Sequence, residues 1–343
     1  LILCGSAMTT MAGLLGGTAP LRGRALVEMV VHPFDFRDSA DFWGLRDEPE
    51  IAFRVNALVG GTPAYRDMAG GPPTGRRDFD AWVAGRLFDP ARVMFHEGNV
   101  LLQEQPEISD PAVYFAVLAA ISRGAHRRSE IAAAIDRANT ALAHPLGVLE
   151  SVRLIERLAD AFRQQRATYQ ITEPVIRLHQ LLIRPNESRL ALREGATVWA
   201  DEADTIASKI YGPHFESLAR QWCLAYAGAQ TLGGRANWVR PATLPCREHR
   251  EGHQLDVVAV RSMPFESDQV LAIGEAKGRT KPTDAGELAR LEHLRELIPA
   301  DRLAGQPKLL LFARAGFTRA LQTAATGRSD VELIDLDRLY NGF

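Results

Sequence analysis

Cysteine is scarce in this chain of 343 residues: Cys4, Cys223 and Cys246 are all it has, and no two form a CxxC pair. The odd total and wide spacing exclude a disulfide framework and argue against a cysteine zinc site. Such sparse thiols point to a reducing compartment, and so to a cytoplasmic protein. No apolar run approaches the length that spans a bilayer, so no membrane partner is expected. The opening Leu1-Ile2-Leu3-Cys4-Gly5 lacks the basic region and cleavage site of a secretion signal. A large charge of either sign is also missing: the net value of -2 provides no global pull toward nucleic acid or an anionic surface. Contact with either would need a local patch. Finally, the sequence contains no GxxxxGK[ST] loop to cradle a nucleotide's phosphates.

Apolar residues make up 46% of the chain and charged residues 24%, the balance of an ordinary globular protein with material for real cores. The length predicts two or three domains. Residues 1–34 read as a buried strand, an apolar helix from about Met8 to Leu15 closed by Gly16-Gly17, and a second strand over Leu26–Val31. No initiating Met is present, which predicts an N-terminally truncated sequence. Residues 35–105 are helical in pattern, with segments at Ser39–Leu45, Glu50–Val59 and Asp78–Phe88 and a Gly/Pro loop over Gly70–Gly75. Over 106–185, Asp110-Pro111 caps a helix through Ser122, followed by helices at Ser129–Asp136 and Asn139–Leu158 and a strand at Ala167–Thr172. Three helices followed by an extended ribbon predict a winged helix-turn-helix. A connector, 186–205, precedes the last region.

From 206 to 343, helices alternate with short Val/Ile/Leu-rich strands, which predicts an α/β domain with helices packed on a mixed sheet. The strands fall at Asn237–Leu244, Gln254–Val260, Gln269–Glu275, Lys308–Ala313 and Val331–Leu336. The helices fall at Phe215–Ala227, Asp284–Leu297 and Thr318–Thr326. Asp256 stands at the head of a buried strand, and Gly274-Glu275-Ala276-Lys277 ends the next one. Residues two apart on a strand share a face, so Glu275 and Lys277 point together beside the neighbouring Asp256. Two carboxylates can hold Mg²⁺ or Mn²⁺ through hard oxygen ligands, and a lysine can position a water or offset charge on a phosphate. Glu216, on the preceding helix, is a third candidate carboxylate. This is the pattern of a PD-(D/E)xK nuclease site, with Asp256, Glu275 and Lys277 as catalytic candidates and Asp256, Glu275 and Glu216 as metal ligands.

In order along the chain, several motifs resemble the archaeal-type P-loop ATPase family (AAA/STAND-like, also found in bacteria), whose members carry a winged helix and end in a nuclease-like domain of unknown function. Leu1–Ser6 resembles the family's sensor-1 strand, with Ser6 as the polar residue facing the γ-phosphate. Pro20-Leu21-Arg22-Gly23-Arg24 is similar to its Pro-Leu-aromatic-Gly-Arg segment, with Arg24 on the arginine. Gly60–Tyr65 resembles a turn of the helical lid, Gly212–Glu216 the entry to the nuclease-like domain, and Gln254–Asp256 with Gly274–Lys277 its two signature strands. The resemblance implies an ATPase-core remnant (1–34), a helical lid (35–105), a winged helix (106–185) and a restriction-endonuclease-like α/β domain (206–343). ATP binding then requires the missing P-loop portion, and this polypeptide alone is not expected to hydrolyse ATP. Gln254 stands where the family often has Glu, a weaker metal partner.

Between residues 123 and 166, eight arginines face five acidic residues, a modest basic patch with Arg127, Arg128 and Arg137 as candidate DNA contacts. Pro145 interrupts the expected recognition helix. His249 and His253, beside Glu248 and Glu251, are expected to lie in a solvated hairpin loop with no further ligand near them. Arg290, His293 and Arg295 read equally as a groove rim or a solvated helix face. Two functions follow: a DNA-directed, ATPase-linked protein with a Mg²⁺-dependent nuclease-like domain, or a regulatory or scaffolding protein whose nuclease fold only binds DNA or a protein partner. Oligomeric state is left open.

Overall fold

The computed structural model describes residues 5, 26–105, 107–108, 110–246, 248–263 and 267–343. Ser6, Arg24 and most of the expected ATPase-core segment (1–4 and 6–25) therefore lie outside the described residues, whereas the strand expected over Leu26–Val31 is described and is exposed chain that pairs with no strand among the described residues. The chain divides into two compact units, one with described residues in 1–45, 55–157 and 169–203, the other made of 46–54, 158–168 and 204–343. To the stretch read as the last domain, the structure thus adds two short segments from earlier in the chain. Among the described residues no helix is long and apolar enough to cross a membrane.

The first unit is mainly helical. Its early helices are Phe36–Trp43 and Pro49–Val59 (whose start belongs to the second unit), then a run from Phe79 that widens into a π-turn over Val83–Leu87. Asp35 caps the first of these, accepting from the Arg37 and Asp38 amides. A helix the sequence reading did not mark, Val93–Gln103, follows. Helices Pro111–Arg123 and Arg128–Ala134 come next. A 3₁₀ turn over Asn139–Leu142 then leads into the helix Ala143–Ser151. Pro145 sits in the first turn of that helix, where a missing amide costs no internal hydrogen bond. The helix expected to run to Leu158 stops at Ser151 because Arg153 takes a left-handed φ of 60° and turns the chain into a strand. That strand, β1 (Ile155–Ala159), and β2 (Ala167–Ile171) form a two-stranded ribbon, of which residues 158–168 belong to the second unit. Ile155, Ile171 and Ile176 pack with Leu118, Ile121, Ile131, Leu146 and Leu149 in one buried cluster.

The second unit is built on one five-stranded sheet: β3 (Trp238–Cys246), β4 (Glu251–Arg261), β5 (Gln269–Lys277), β6 (Leu303–Ala313) and β7 (Val331–Asp335), adjacent in that order. β3, β4 and β5 pair antiparallel, whereas β5, β6 and β7 pair parallel. The switch arises at β5, because helix α1 (Gly212–Ala225) precedes the antiparallel meander and α2 (Ala285–Glu296) is the crossover from β5 to β6. A third helix, α3 (Arg319–Ala325), crosses from β6 to β7. One sheet face packs Leu255, Val258, Ile273, Leu309 and Leu311 against Leu288, Leu291 and Leu294 of α2 and Leu321 of α3. α1 packs across β3, β4 and β5, and its Trp222 meets Phe312 edge-on at 5.8 Å between ring centroids. On edge strand β3, the Asp160 carboxylate accepts from the Thr243 amide at 2.8 Å as well as from Phe162 and Arg163, which covers part of that edge.

Two glycines let the site end of the sheet close up. A Cβ on Gly274 would lie 2.9 Å from the Leu310 carbonyl oxygen and 3.3 Å from the Val257 Cβ, between two neighbouring strands. A Cβ on Gly278 would stand 3.1 Å from both Gly212 Cα and Tyr211 O, so glycine there lets the start of α1 approach the end of β5. Arg314 braces the same corner. Its amide donates to Lys277 O at 3.1 Å, and its guanidinium pairs with Glu50 (Nε to Oε2, 3.1 Å) and donates to Gly278 O at 3.3 Å. The guanidinium also lies 4.6 Å from the Tyr211 ring and 4.9 Å from the Phe53 ring. Arg314→Ala leaves Glu50 without its partner and is expected to cost about 3 kcal/mol of unfolding free energy in urea denaturation. A loss below about 1 kcal/mol would show the brace to be dispensable.

Candidate metal-binding site

The antiparallel register that pairs Val257 with Gly274 carries Asp256 and Glu275 to the same end of β4 and β5, one step beyond that pair. The two carboxylates lie close enough for Glu275 to act electrostatically on Asp256, and Lys277 follows Glu275 by two residues on the same strand. The structure brings Asp256, Glu275 and Lys277 together, as their spacing predicts. β4 begins at Glu251, several residues earlier than expected, so Asp256 lies inside the strand rather than at its head.

Each side chain is held. Asp256 Oδ2 accepts from the Ala276 amide at 2.9 Å, and Arg220 of α1 donates to the Asp256 carbonyl at 3.1 Å. Glu275 is buried, with one oxygen accepting from Lys277 Nζ at 2.7 Å and the other from Arg290 of α2 at 2.6 Å. Arg290 also donates to the Gln254 carbonyl at 2.9 Å. Lys277 reaches Glu287 of α2 at 3.3 Å, and Arg279 meets the same carboxylate at 3.3 Å. Arg290, read from sequence as a rim or surface residue, is thus a partner of Glu275. No local pattern in the sequence marks Glu287, whose role depends on where α2 crosses the sheet.

The electrostatics show an excess of negative charge at Asp256. Burial, then the nearby Glu216 and Glu275 carboxylates, push its pKa up to about 8, against the lowering effect of the Ala276 amide and Lys277. Glu216 on α1 is therefore close enough to act on Asp256, which supports it as a third member of the group. Burial works against the Lys277 ammonium, but Glu275 and Glu287 outweigh it and hold the lysine above its ordinary pKa. Hard carboxylate oxygens that repel one another in a partly buried place suit a divalent cation such as Mg²⁺ or Mn²⁺. Asp256, Glu275 and Glu216 are the residues that would hold it.

The candidate DNA contacts are less concentrated. Arg127 and Arg128 stand at the start of the helix Arg128–Ala134, and Arg137 follows its end. Arg127 lies 3.8 Å from Glu130, and Arg128 donates to Asn139 O at 2.8 Å, which ties the helix to the next turn.

His249 and His253 depart from expectation. They do not lie alone in a solvated loop: Cys246 at the end of β3 and His293 of α2 join them, with the four donor atoms all within 4.8 Å of one another. The spacing Cys246-x₂-His249-x₃-His253 was visible in the sequence. The fourth member was not, since His293 comes 47 residues after Cys246 and is brought back only by the packing of α2.

Asp256 gives the metal-free protein a distinct pH signature. Its folded pKa of about 8 lies above the ordinary value of 3.8, so between the two the folded state keeps a proton that the unfolded chain has lost. Its stabilising contribution is complete below about pH 4 and disappears as pH rises through about 8. In chelator, Asp256→Asn is therefore expected to raise the melting temperature at pH 8 and change it little at pH 4. Parallel pH profiles for the two proteins in thermal melts would contradict this.

No family model matches this chain, and no curated protein or solved structure matches it either.

Proposed function

We propose that the second unit carries a divalent-cation-dependent phosphodiester-cleaving site of the PD-(D/E)xK type and that the protein is DNA-directed. The observation that carries this reading is the convergence of Asp256 and Glu275 from adjacent strands, with Lys277 Nζ 2.7 Å from the Glu275 carboxylate. Asp256, Glu275 and Glu216 would hold the cation. When bound, a divalent cation neutralises phosphate charge and acidifies a water molecule. Lys277, fixed by Glu275 and Glu287, presents an ammonium that orients an attacking water and offsets charge building on the phosphate oxygens. The sheet order, with antiparallel β3–β5 followed by parallel β6 and β7, supports an endonuclease-like core.

The order of three helices and a two-stranded ribbon supports a winged-helix reading of 106–185, with Arg127, Arg128 and Arg137 as its DNA contacts. A basic concavity in the second unit, lined by Arg163, Arg166 and Arg250, offers further phosphate contacts. The scarcity of cysteine supports a cytoplasmic setting, and the ATPase resemblance adds a nucleotide-driven module, with ATP binding dependent on a P-loop that these 343 residues do not contain. That part of the reading rests on the sequence motifs alone.

One observation favours a second reading. Both Glu275 oxygens are already engaged by cations, Lys277 and Arg290, and Gln254 contributes a carbonyl to Arg290 rather than a carboxylate to a metal. A nuclease fold with its charge balanced in this way suits a regulatory or scaffolding protein that binds DNA, or a protein partner, without cutting.

A cleavage assay separates the two. With linear and supercoiled DNA in Mg²⁺ or Mn²⁺, the wild-type chain is expected to yield product, and Asp256→Ala or Lys277→Ala to lower the rate by about 10²-fold or more. DNA binding that persists in chelator, with no product under any condition, would instead establish the non-cutting reading. Equal cleavage by wild type and Asp256→Ala would remove the site from the chemistry.

A further inference from the structure

We propose that Cys246, His249, His253 and His293 form a structural zinc site, separate from the carboxylate cluster and independent of whether that cluster cuts DNA.

The geometry is that of a four-ligand cage with little to rearrange. Cys246 Sγ lies 3.2 Å from His249 Nδ1 and 3.5 Å from His293 Nε2, and His253 Nε2 lies 3.1 Å from His249 Nδ1. A tetrahedral ion with Zn–N near 2.0–2.1 Å and Zn–S near 2.3 Å places neighbouring ligand atoms roughly 3.3–3.6 Å apart. The closest pairs already approach that spacing, and the whole set lies within 4.8 Å. The three imidazole rings stand nearly perpendicular to one another, at 83° to 84°, with centroids 5.0 to 6.0 Å apart. One nitrogen of each ring, on the ring edge, belongs to the set of donor atoms that lie within 4.8 Å of one another.

Hydrogen bonding among these groups explains the convergence poorly. His249 Nδ1 carries either one N–H or one in-plane lone pair, yet both a thiol sulfur and a second imidazole nitrogen approach it. A cation lets all four atoms donate lone pairs at once. On the other side of His253, Glu251 Oε1 lies 3.7 Å from Nδ1, too long for a hydrogen bond but close enough to favour positive charge on this side of the cluster.

The donor chemistry selects the ion. One thiolate and three imidazoles form a borderline-soft set that suits Zn²⁺ and not the hard Mg²⁺ or Mn²⁺ expected at the carboxylates. Four protein ligands fill the tetrahedral shell and leave no open position for a substrate, so the role is structural. The ion would tie the β3–β4 turn to α2. His293 stands three residues, about one helical turn, after Arg290, and His253 directly precedes Gln254, whose carbonyl accepts from Arg290. Zinc at this point would fix the arginine that grips Glu275.

The full chain, stripped with chelator and reloaded, provides the test. Metal analysis after gel filtration is expected to find one zinc per chain. Cobalt substituted for zinc should give the intense visible bands of a tetrahedral site and a thiolate charge-transfer band that Cys246→Ser abolishes. His293→Ala should weaken zinc binding by more than about 100-fold. His249→Ala, altering an exposed turn residue, should do the same and covers the case in which the helix variant misfolds. Asp256→Asn should leave zinc binding unchanged, which separates this site from the acidic one. Substoichiometric zinc in the wild type, or zinc and cobalt binding that survives both Cys246→Ser and His249→Ala, would overturn the proposal.

Discussion

Like charge held in a confined place organises the second unit. Asp256 and Glu275 are carried to one end of β4 and β5 by the strand register, and Glu216 approaches from α1. Water screens such repulsion on an open surface, but here Glu275 is buried and Asp256 is pushed to a pKa of about 8. Carboxylates are expensive to collect in this way unless positive charge is supplied. Lys277 and Arg290 supply some of it to Glu275, one on each oxygen, while among the described residues the Asp256 carboxylate accepts from the Ala276 amide and has Lys277 nearby. The imbalance falls on Asp256, which is where a divalent cation would relieve it.

The surrounding scaffold serves this arrangement. Gly274 lets β4 and β6 close on β5 beside Glu275, and Gly278 lets α1 bring Glu216 toward the end of the strand. Arg314, stacked near Phe53 and Tyr211 and paired with Glu50, fixes the chain just after Lys277. On the opposite face, Leu288, Leu291 and Leu294 seat α2 on the sheet, and that seating delivers Glu287, Arg290 and His293. One helix therefore reaches both the carboxylate cluster and the cysteine–histidine cluster. A shift of α2 would be felt at both.

Much of this was legible in the sequence. Asp256, Glu275 and Lys277 could be grouped from a two-residue strand period and a hairpin-sized separation, because both rules are local. The strands and helices from 206 onward were legible for the same reason: their Val, Ile and Leu runs are short and bounded by turns. Other features depended on long-range geometry. The partnership of Arg290 with Glu275, and of His293 with Cys246, is set by the angle at which α2 crosses the sheet, and no local pattern encodes that angle. The histidine pair looked like loop residues because its third and fourth partners were a lone cysteine and a residue forty positions further on. The overlong third helix of the first unit failed on a single backbone choice, the left-handed φ at Arg153, which a non-glycine residue seldom signals in advance.

The central claim is that the carboxylate cluster is a cation site, and manganese binding followed by electron paramagnetic resonance tests it most directly. At fixed pH, with the cysteine–histidine cluster loaded with zinc, the wild-type chain should sequester one Mn²⁺, and the equally zinc-loaded Asp256→Asn variant should lose that binding. Free manganese signal undiminished by the wild-type protein, or equally diminished by wild type and Asp256→Asn, would contradict the account.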